Sequence, residues 1–327
     1  MFTRREVLKS GVAAGVGGWL GNASTASAAD APQPLTKVNF DIPPNACDCH
    51  VHVFGDPKKY PFFEGRGYTP ETASVDELEK MLSALRLRRV VIVQPSVYGT
   101  DNSCTLDGMR ELGSRARGVA VIDDKTTDAQ LDAMGKAGIR GIRLNLATAG
   151  ISDPAAARQR FDNAVGRMRN RNGWHIQINT QLPVIDALSQ QLLASPVPIV
   201  IDHFGGAVAA RGVDQPGFGA LIILVKSGKA YVKISGSADS VSTQPDLADV
   251  APLARALVAA NPQRILWGTN WPHPGSNPTP GRKPTDLAPH MRTDDGKVLN
   301  LLPVWVPDVA TRRLILAENP ARLYGWS

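Results

Sequence analysis

Cysteine is nearly missing from this 327-residue chain, which has only Cys47, Cys49 and Cys104. So few, so unevenly spaced, exclude a disulfide-stapled scaffold or a zinc module of paired Cys-x-x-Cys turns, and buried thiols are expected. No apolar run beyond the N-terminus is long enough to span a bilayer. Charge of one sign is also lacking. The 36 Lys and Arg against 30 Asp and Glu leave a formal +6, scattered without interleaved aromatics, so no nucleic-acid footprint is present. No Gly-x-Gly-x-x-Gly follows the first strand candidate, which argues against a dinucleotide-binding sheet. These absences leave a globular enzyme, expected as a monomer or small homo-oligomer, whose charge suits a small anionic substrate; no membrane partner is expected.

What is there begins with "MFTRREVLKSGVAAGVGGWLGNASTASAADAP". Arg4-Arg5, a Gly/Ala stretch and Ala26-Ser27-Ala28 read as a Tat-type export signal over 1–28. Cleavage after Ala28 would remove Arg4, Arg5, Glu6 and Lys9, lowering the formal charge from +6 to +4. The mature chain is then expected in the periplasm, or in the cytoplasm if the signal is not used. A Pro-rich extension occupies 29–44, and 45–327 reads as a single barrel.

From there to the end, β-branched runs alternate with helix-period segments, the rhythm of βα units. Strands are expected at 46–53, 89–94, 118–122, 141–146, 175–179, 198–203, 230–235 and 264–270. Helices are expected at 74–86, opened by a Ser74/Glu77 capping box, and at 153–170. A Pro-terminated helix closes the chain, and 272–289 reads as a loop. Eight strands with helical crossovers match an α/β fold of the (β/α)8 TIM-barrel type.

In such a barrel, chemistry gathers at the C-terminal strand ends. Those ends carry His50 and His52, Ser96, Arg143, Asn179, His203 and Asn270. His-x-His on a strand puts both imidazoles on one face, because side chains alternate with period two. Both are expected to point into the barrel mouth. A metal is not expected: His50, His52 and His203 could supply three zinc ligands, but strand five offers none and strand eight presents the amide of Asn270. Neutral or protonated imidazoles can still assist a developing oxyanion, and the Arg143 fork can pair with a carboxylate. His175 and His290 are expected away from the mouth, and His273 in loop packing.

The stretches "DCHVHVFGD", "YPFFEGRGYTP", "VIVQPSVYGTDNSCTLD", "RGIRLNL", "PIVIDHFG", "WGTNWPHP" and "ENPARLYGW" together resemble the amidohydrolase superfamily, within it the 2-pyrone-4,6-dicarboxylate lactonase-like branch. The likeness spans 48–326. It implies a barrel enzyme that opens a small carboxylated lactone, often without metal. Carried over by position, His50, His52 and His203 would polarise the lactone carbonyl, Tyr68, Ser96 and Asn179 would contact substrate, and Arg143 would hold a carboxylate.

Four positions depart from that pattern. Ala149 stands where the branch has a second arginine, Asn179 where it has a tyrosine, and no arginine lies near Asp239 and Ser240. Losing cationic anchors argues against the pyrone dicarboxylate, since an unpaired carboxylate in a dry pocket is costly. Asn270 replaces the catalytic aspartate, and general-base catalysis is commonly worth roughly 10²- to 10⁴-fold. Galactarolactone isomerase resembles this chain in having Asn there, although its pattern lacks the first histidine. In 4-sulfomuconolactone hydrolase the enol leaving group is stabilised, so a histidine could activate water while Asn270 orients it. The resemblance thus implies a hydrolase of anionic (enol-)lactones from aromatic-compound catabolism, with a metal-independent lactone isomerase as the alternative.

Overall fold

The computed structural model describes residues 30–235, 241–244, 246–276 and 279–326. The export-signal reading over 1–28 and the Asp239–Ser240 loop lie outside them. Eight parallel strands succeed one another in chain order: β1 (Cys47–Val51), β2 (Arg89–Val93), β3 (Ala116–Ala120), β4 (Ile139–Asn145), β5 (His175–Asn179), β6 (Ile199–Ile201), β7 (Ala230–Ser235) and β8 (Ile265–Gly268). The sheet closes where the chain after β8 returns to β1. There the Asn270 N–H donates to the His50 carbonyl at 2.8 Å, and the His52 N–H to the Trp271 carbonyl at 2.8 Å. This is the expected (β/α)8 barrel. Among the described residues, no helix is long and apolar enough to cross a membrane.

Two buried layers follow from strand alternation. Outside the barrel, Val90, Ile92, Ile142, Ile176 and Ile199 pack with helix residues such as Leu78, Met81 and Phe161. Inside, Cys47, Cys49, Val91, Val93, Val119, Val200 and Leu266 form a second cluster with Tyr324. All three thiols are buried and free. The interior is therefore apolar at its base, and polar side chains are left to its upper end.

β1 does not hold one alternation throughout. Asp48 pairs with Val90 but Val51 pairs with Ile92, so three steps along β1 match two along β2. This one-residue bulge shifts the phase of the strand. Below it Cys47 and Cys49 face inward; above it His50 and His52 do. The Asp48 carboxylate holds the bulge by accepting the N–H groups of His50 (3.0 Å) and Thr269 (3.1 Å) and the Thr269 hydroxyl (2.7 Å). Burial raises its carboxyl to about 7 in spite of those hydrogen bonds. Gly268 completes the seam, since a Cβ there would lie 2.8 Å from the His50 backbone nitrogen.

Three expectations shift in detail. β3 begins two residues before the apolar run 118–122: Arg117, paired with Val91 and in phase with Val119, extends the strand at the lower end of the barrel, where its guanidinium lies over the Trp326 ring at 4.9 Å. The closing helix does not end at its proline. A π turn at Leu314–Glu318 leads into Asn319–Tyr324, and Pro320 sits in that segment's first turn, where a missing N–H costs little. The loop 272–289 contains a two-residue strand, Leu287–Ala288, paired in parallel with Thr69–Pro70. The Ser74/Glu77 capping box forms as expected, opening the helix Val75–Ala84.

The segment before β1 crosses the outside of the closure. Trp271 Nε1 donates to the Pro32 carbonyl at 2.7 Å, the Ala31 N–H donates to Glu77 at 2.8 Å, and the Thr36 hydroxyl donates to Asp294 at 2.6 Å.

Asp48→Ala would leave two buried N–H groups without an acceptor, each costing about 1–3 kcal/mol. Chemical denaturation should therefore show a stability loss of about 2–5 kcal/mol; an unchanged midpoint would mean that the barrel closes without this carboxylate.

Candidate active site

A cavity of about 770 Å³ opens at the C-terminal ends of the strands. His52, Tyr68, Ser96, Arg143, Asn179, His203 and Asn270 all line it. His50 does not. Its ring is fully buried beneath the cavity floor, 5.0 Å from the His52 ring and 4.6 Å from that of His203. The expectation that both imidazoles of His50-Val51-His52 reach the mouth is therefore corrected. Period two points them the same way, but the barrel interior is layered and His50 lies one layer down.

The lower layer is organised around Asp202, which follows β6. One carboxylate oxygen accepts hydrogen bonds from Arg143 Nε and Gln177 Nε2, each at 3.0 Å. The other lies 3.2 Å from His50 Nδ1 and 3.4 Å from Lys233 Nζ. Lys233 also donates to Gln177 Oε1 at 2.8 Å and approaches His50 Nδ1 at 3.3 Å. All five residues are buried. Burial alone would push the Asp202 carboxyl up, but Lys233, His50 and Arg143 together hold it well below the usual range. Burial lowers Lys233 while Asp202 opposes the shift.

Chain turning places His203 above Asp202. His203, Phe204, Gly205 and Gly206 have φ of 47°, 55°, 69° and 71°, a run in the left-handed region. That region costs an ordinary residue roughly 1–2 kcal/mol and glycine little. At Gly206 a Cβ would also meet the Thr180 carbonyl at 2.8 Å. The turn leaves His203 Nδ1 2.9 Å from the Ser235 hydroxyl. Asn270 shares the conformation, with φ of 67°. Asparagine and aspartate both enter it more readily than most residues, so the backbone accepts either an amide or a carboxylate here.

His52 is fixed differently. Its Nδ1 lies 2.7 Å from the Val93 carbonyl, which can only accept. Nδ1 therefore carries the proton, and in the neutral ring Nε2 keeps its lone pair. Burial, reinforced by Arg143, lowers His52 to about 3. Burial also lowers His203 to about 4, and burial with Lys233 takes His50 well below the ordinary value. All three imidazoles are neutral at pH 7. Tyr68, pushed up to about 12 by burial, keeps its phenolic proton beside Ser96 and Arg143. Asn179 Nδ2 donates to the Thr148 hydroxyl at 3.0 Å.

The remaining histidines stand apart from the cavity. His273 Nε2 is 3.0 Å from Asp295, His290 Nε2 is 3.2 Å from the Thr72 carbonyl, and the His175 ring lies 5.3 Å from Tyr324. Sequence reading underweighted Asp202, Gln177 and Lys233. Their signal was polarity at inward positions of otherwise apolar strands, with Lys233 inside "AYVKIS" the plainest case. Arg282, on the loop after β8, also lines the cavity; nothing in that polar, proline-rich stretch set it apart from its neighbours.

Comparison with known proteins gives this geometry a lineage. Residues 47–326 match the family described as Amidohydrolase. The chain belongs to the amidohydrolase family. It is 36% identical to the 4-sulfomuconolactone hydrolase of Hydrogenophaga intermedia, over 89% of this chain and 92% of that protein. It is 31% identical to a 2-pyrone-4,6-dicarboxylate hydrolase of Comamonas testosteroni, over 88% of this chain and 93% of that one. A crystal structure from Agrobacterium tumefaciens superposes with a TM-score of 0.72 at 26% identity, covering 90% of this chain and 99% of the other.

In this amidohydrolase, the metal trio weighed from sequence, His50, His52 and His203, does not form. Among the described residues, the donor atoms that do converge, within 4.8 Å of one another, belong to His50, Asp202 and His203. That set does not suit a divalent cation. The Lys233 ammonium already sits 3.4 Å from the Asp202 oxygen and 3.3 Å from His50 Nδ1, so an ion there would face a buried like charge.

Imidazole nitrogen NMR should show no titration of His52 or His203 between pH 8 and about 5, with midpoints near 3 for His52 and near 4 for His203. A midpoint near 6.5 for either would mean a solvated ring. Free histidine titrates near 6.5, so on acidification the unfolded chain binds protons first, and stability should fall as pH drops below about 6.5.

Proposed function

We propose that this protein hydrolyses the ring ester of a small anionic lactone from aromatic-compound breakdown, of the 4-sulfomuconolactone or 2-pyrone-4,6-dicarboxylate type. One observation carries the reading: the cavity joins the Arg143 guanidinium, a neutral imidazole with its lone pair free and a second imidazole beside a hydroxyl, and among the described residues no aspartate or glutamate lines it. The two curated relatives, named as hydrolases of such lactones, support it.

In the proposed sequence, the Arg143 guanidinium, steadied through Nε by Asp202, receives the substrate carboxylate, while Tyr68, Ser96 and Asn179 border the ring. His52 Nε2 takes a proton from a water oriented by the Asn270 amide. The water oxygen bonds to the lactone carbonyl carbon, and negative charge moves onto the carbonyl oxygen. His203, in the tautomer in which the Ser235 hydroxyl donates to Nδ1, presents Nε2–H to that oxygen. Collapse re-forms the carbonyl and breaks the ring C–O bond; the departing oxygen takes the proton from His52. His50 serves from below by keeping His203 and Asp202 in place.

No resident metal or other cofactor is assigned, because Lys233 and Arg143 already neutralise the one carboxylate in the donor set. Zinc analysis should give substoichiometric metal, and chelation should leave activity intact; activity lost to chelator and restored by zinc would overturn this part. The isomerase alternative rests on Asn270, whose left-handed backbone suits asparagine and aspartate alike; oxygen-18 labelling separates the two reactions. Arg4-Arg5 and the Ala26-Ser27-Ala28 site support export to the periplasm by the twin-arginine route, which cell fractionation tests.

Incubation with carboxylated lactones in oxygen-18 water should place label in the ring-opened acid. Rearranged lactone without label would establish isomerisation. His203→Ala should lower kcat/KM by roughly 10²-fold or more with an unchanged circular dichroism spectrum, and unchanged turnover would remove His203 from the mechanism. Asn270→Asp would bring a carboxylate into the cavity lining and should raise KM for an anionic lactone.

A further inference from the structure

The cavity is lined by two guanidinium groups from opposite ends of the fold. Arg143 rises from β4 and is 6% exposed. Arg282 comes from the loop after β8 and is half-buried, on the solvent side. The loop is built to present it. Arg282 Nη2 donates to the Gly275 carbonyl at 2.7 Å, and Ser276 and Thr279 also line the cavity. Further on, the Pro284 carbonyl accepts the Thr69 hydroxyl at 2.8 Å, and Arg66 Nε donates to that hydroxyl at 2.7 Å. The pairing of Leu287–Ala288 with Thr69–Pro70 then ties the loop to the segment bearing Tyr68.

Charge at the floor accommodates one anionic group. Asp202 stands against both Lys233 and Arg143, so with neutral imidazoles the buried cluster carries one positive charge in excess. A lactone with a single carboxylate satisfies that excess and makes no use of a guanidinium at the mouth. A lactone with a second acid group, on the side of the ring away from Arg143, would use it. We propose that Arg282 is a specificity-determining residue that receives the second anionic group of a dianionic lactone, a sulfonate or second carboxylate held at the cavity mouth while Arg143 takes the deep carboxylate. The inference rests on the lactone reading of the same cavity. It also reverses the argument drawn from Ala149: a second cationic anchor is present, supplied by the β8 loop instead of the β4 loop.

Calorimetric titration of the purified chain with pyridine-2,4-dicarboxylate and, separately, pyridine-2-carboxylate tests it. The native protein should bind the dicarboxylate at least about tenfold more tightly. Arg282→Gln, which keeps a donor for Gly275, should weaken the dicarboxylate about 10- to 100-fold, as expected for one charge-assisted contact, and the monocarboxylate less than about threefold. Arg282→Lys should restore part of the difference. No preference for the dianion in the native chain, or equal losses for both ligands in Arg282→Gln, as a displaced loop would produce, overturns the proposal. Because the titration needs no turnover, a dianion preference without lactone hydrolysis would sink the activity and leave the Arg282 assignment standing.

Discussion

The Asp202 carboxylate is the constraint on which the barrel mouth depends. It is a full negative charge with no access to water, and an isolated one would be untenable there. Arg143, Lys233, Gln177 and His50, contributed by β4, β7, β5 and β1, make it tenable. Each of those side chains is in turn held by the carboxylate. A buried ion pair of this sort is weak evidence for stability, because desolvation offsets much of the attraction. Its value here is positional: four strands are brought into one register at the depth where substrate would rest.

That arrangement also separates two layers that polarity alone does not distinguish. Below lie groups shut off from the cavity, His50 among them with its ring against those of His52 and His203; above, His52, His203, Arg143 and Asn270 meet the cavity. Arg143 alone belongs to both, spending Nε on Asp202 and leaving the rest of its fork to the cavity. His50 has the chemistry of a catalytic group and the location of a scaffold.

Much of this was legible in the sequence. The alternation of β-branched runs with amphipathic stretches set out all eight strands, and the capping box at Ser74 and Glu77 marked the start of the first helix. The strand-end rule collected His52, Ser96, Arg143, Asn179, His203 and Asn270 correctly into one place, because strand polarity and chain order determine which end is up. Depth was not legible. Whether His50 or His52 touches the cavity depends on barrel layering, which a period-two pattern does not encode. Arg282 was hidden for a different reason: loops lack a repeating geometry, so a cation in a polar stretch carries no sign of where it will come to lie.

The bulge in β1 has a consequence for how such a site could be lost or gained. Above Asp48, the inward side chains are the histidines only because the strand carries one residue more than its neighbour. Were the same residues to run as a regular strand, without the bulge, the alternation would swing His50 and His52 outward among the helices, bringing Val51 and Val53 to the interior. An imidazole-lined mouth would become an aliphatic one with no functional side chain substituted. In this protein the face that the histidines present is decided by one backbone irregularity, and by the Asp48 carboxylate that holds it.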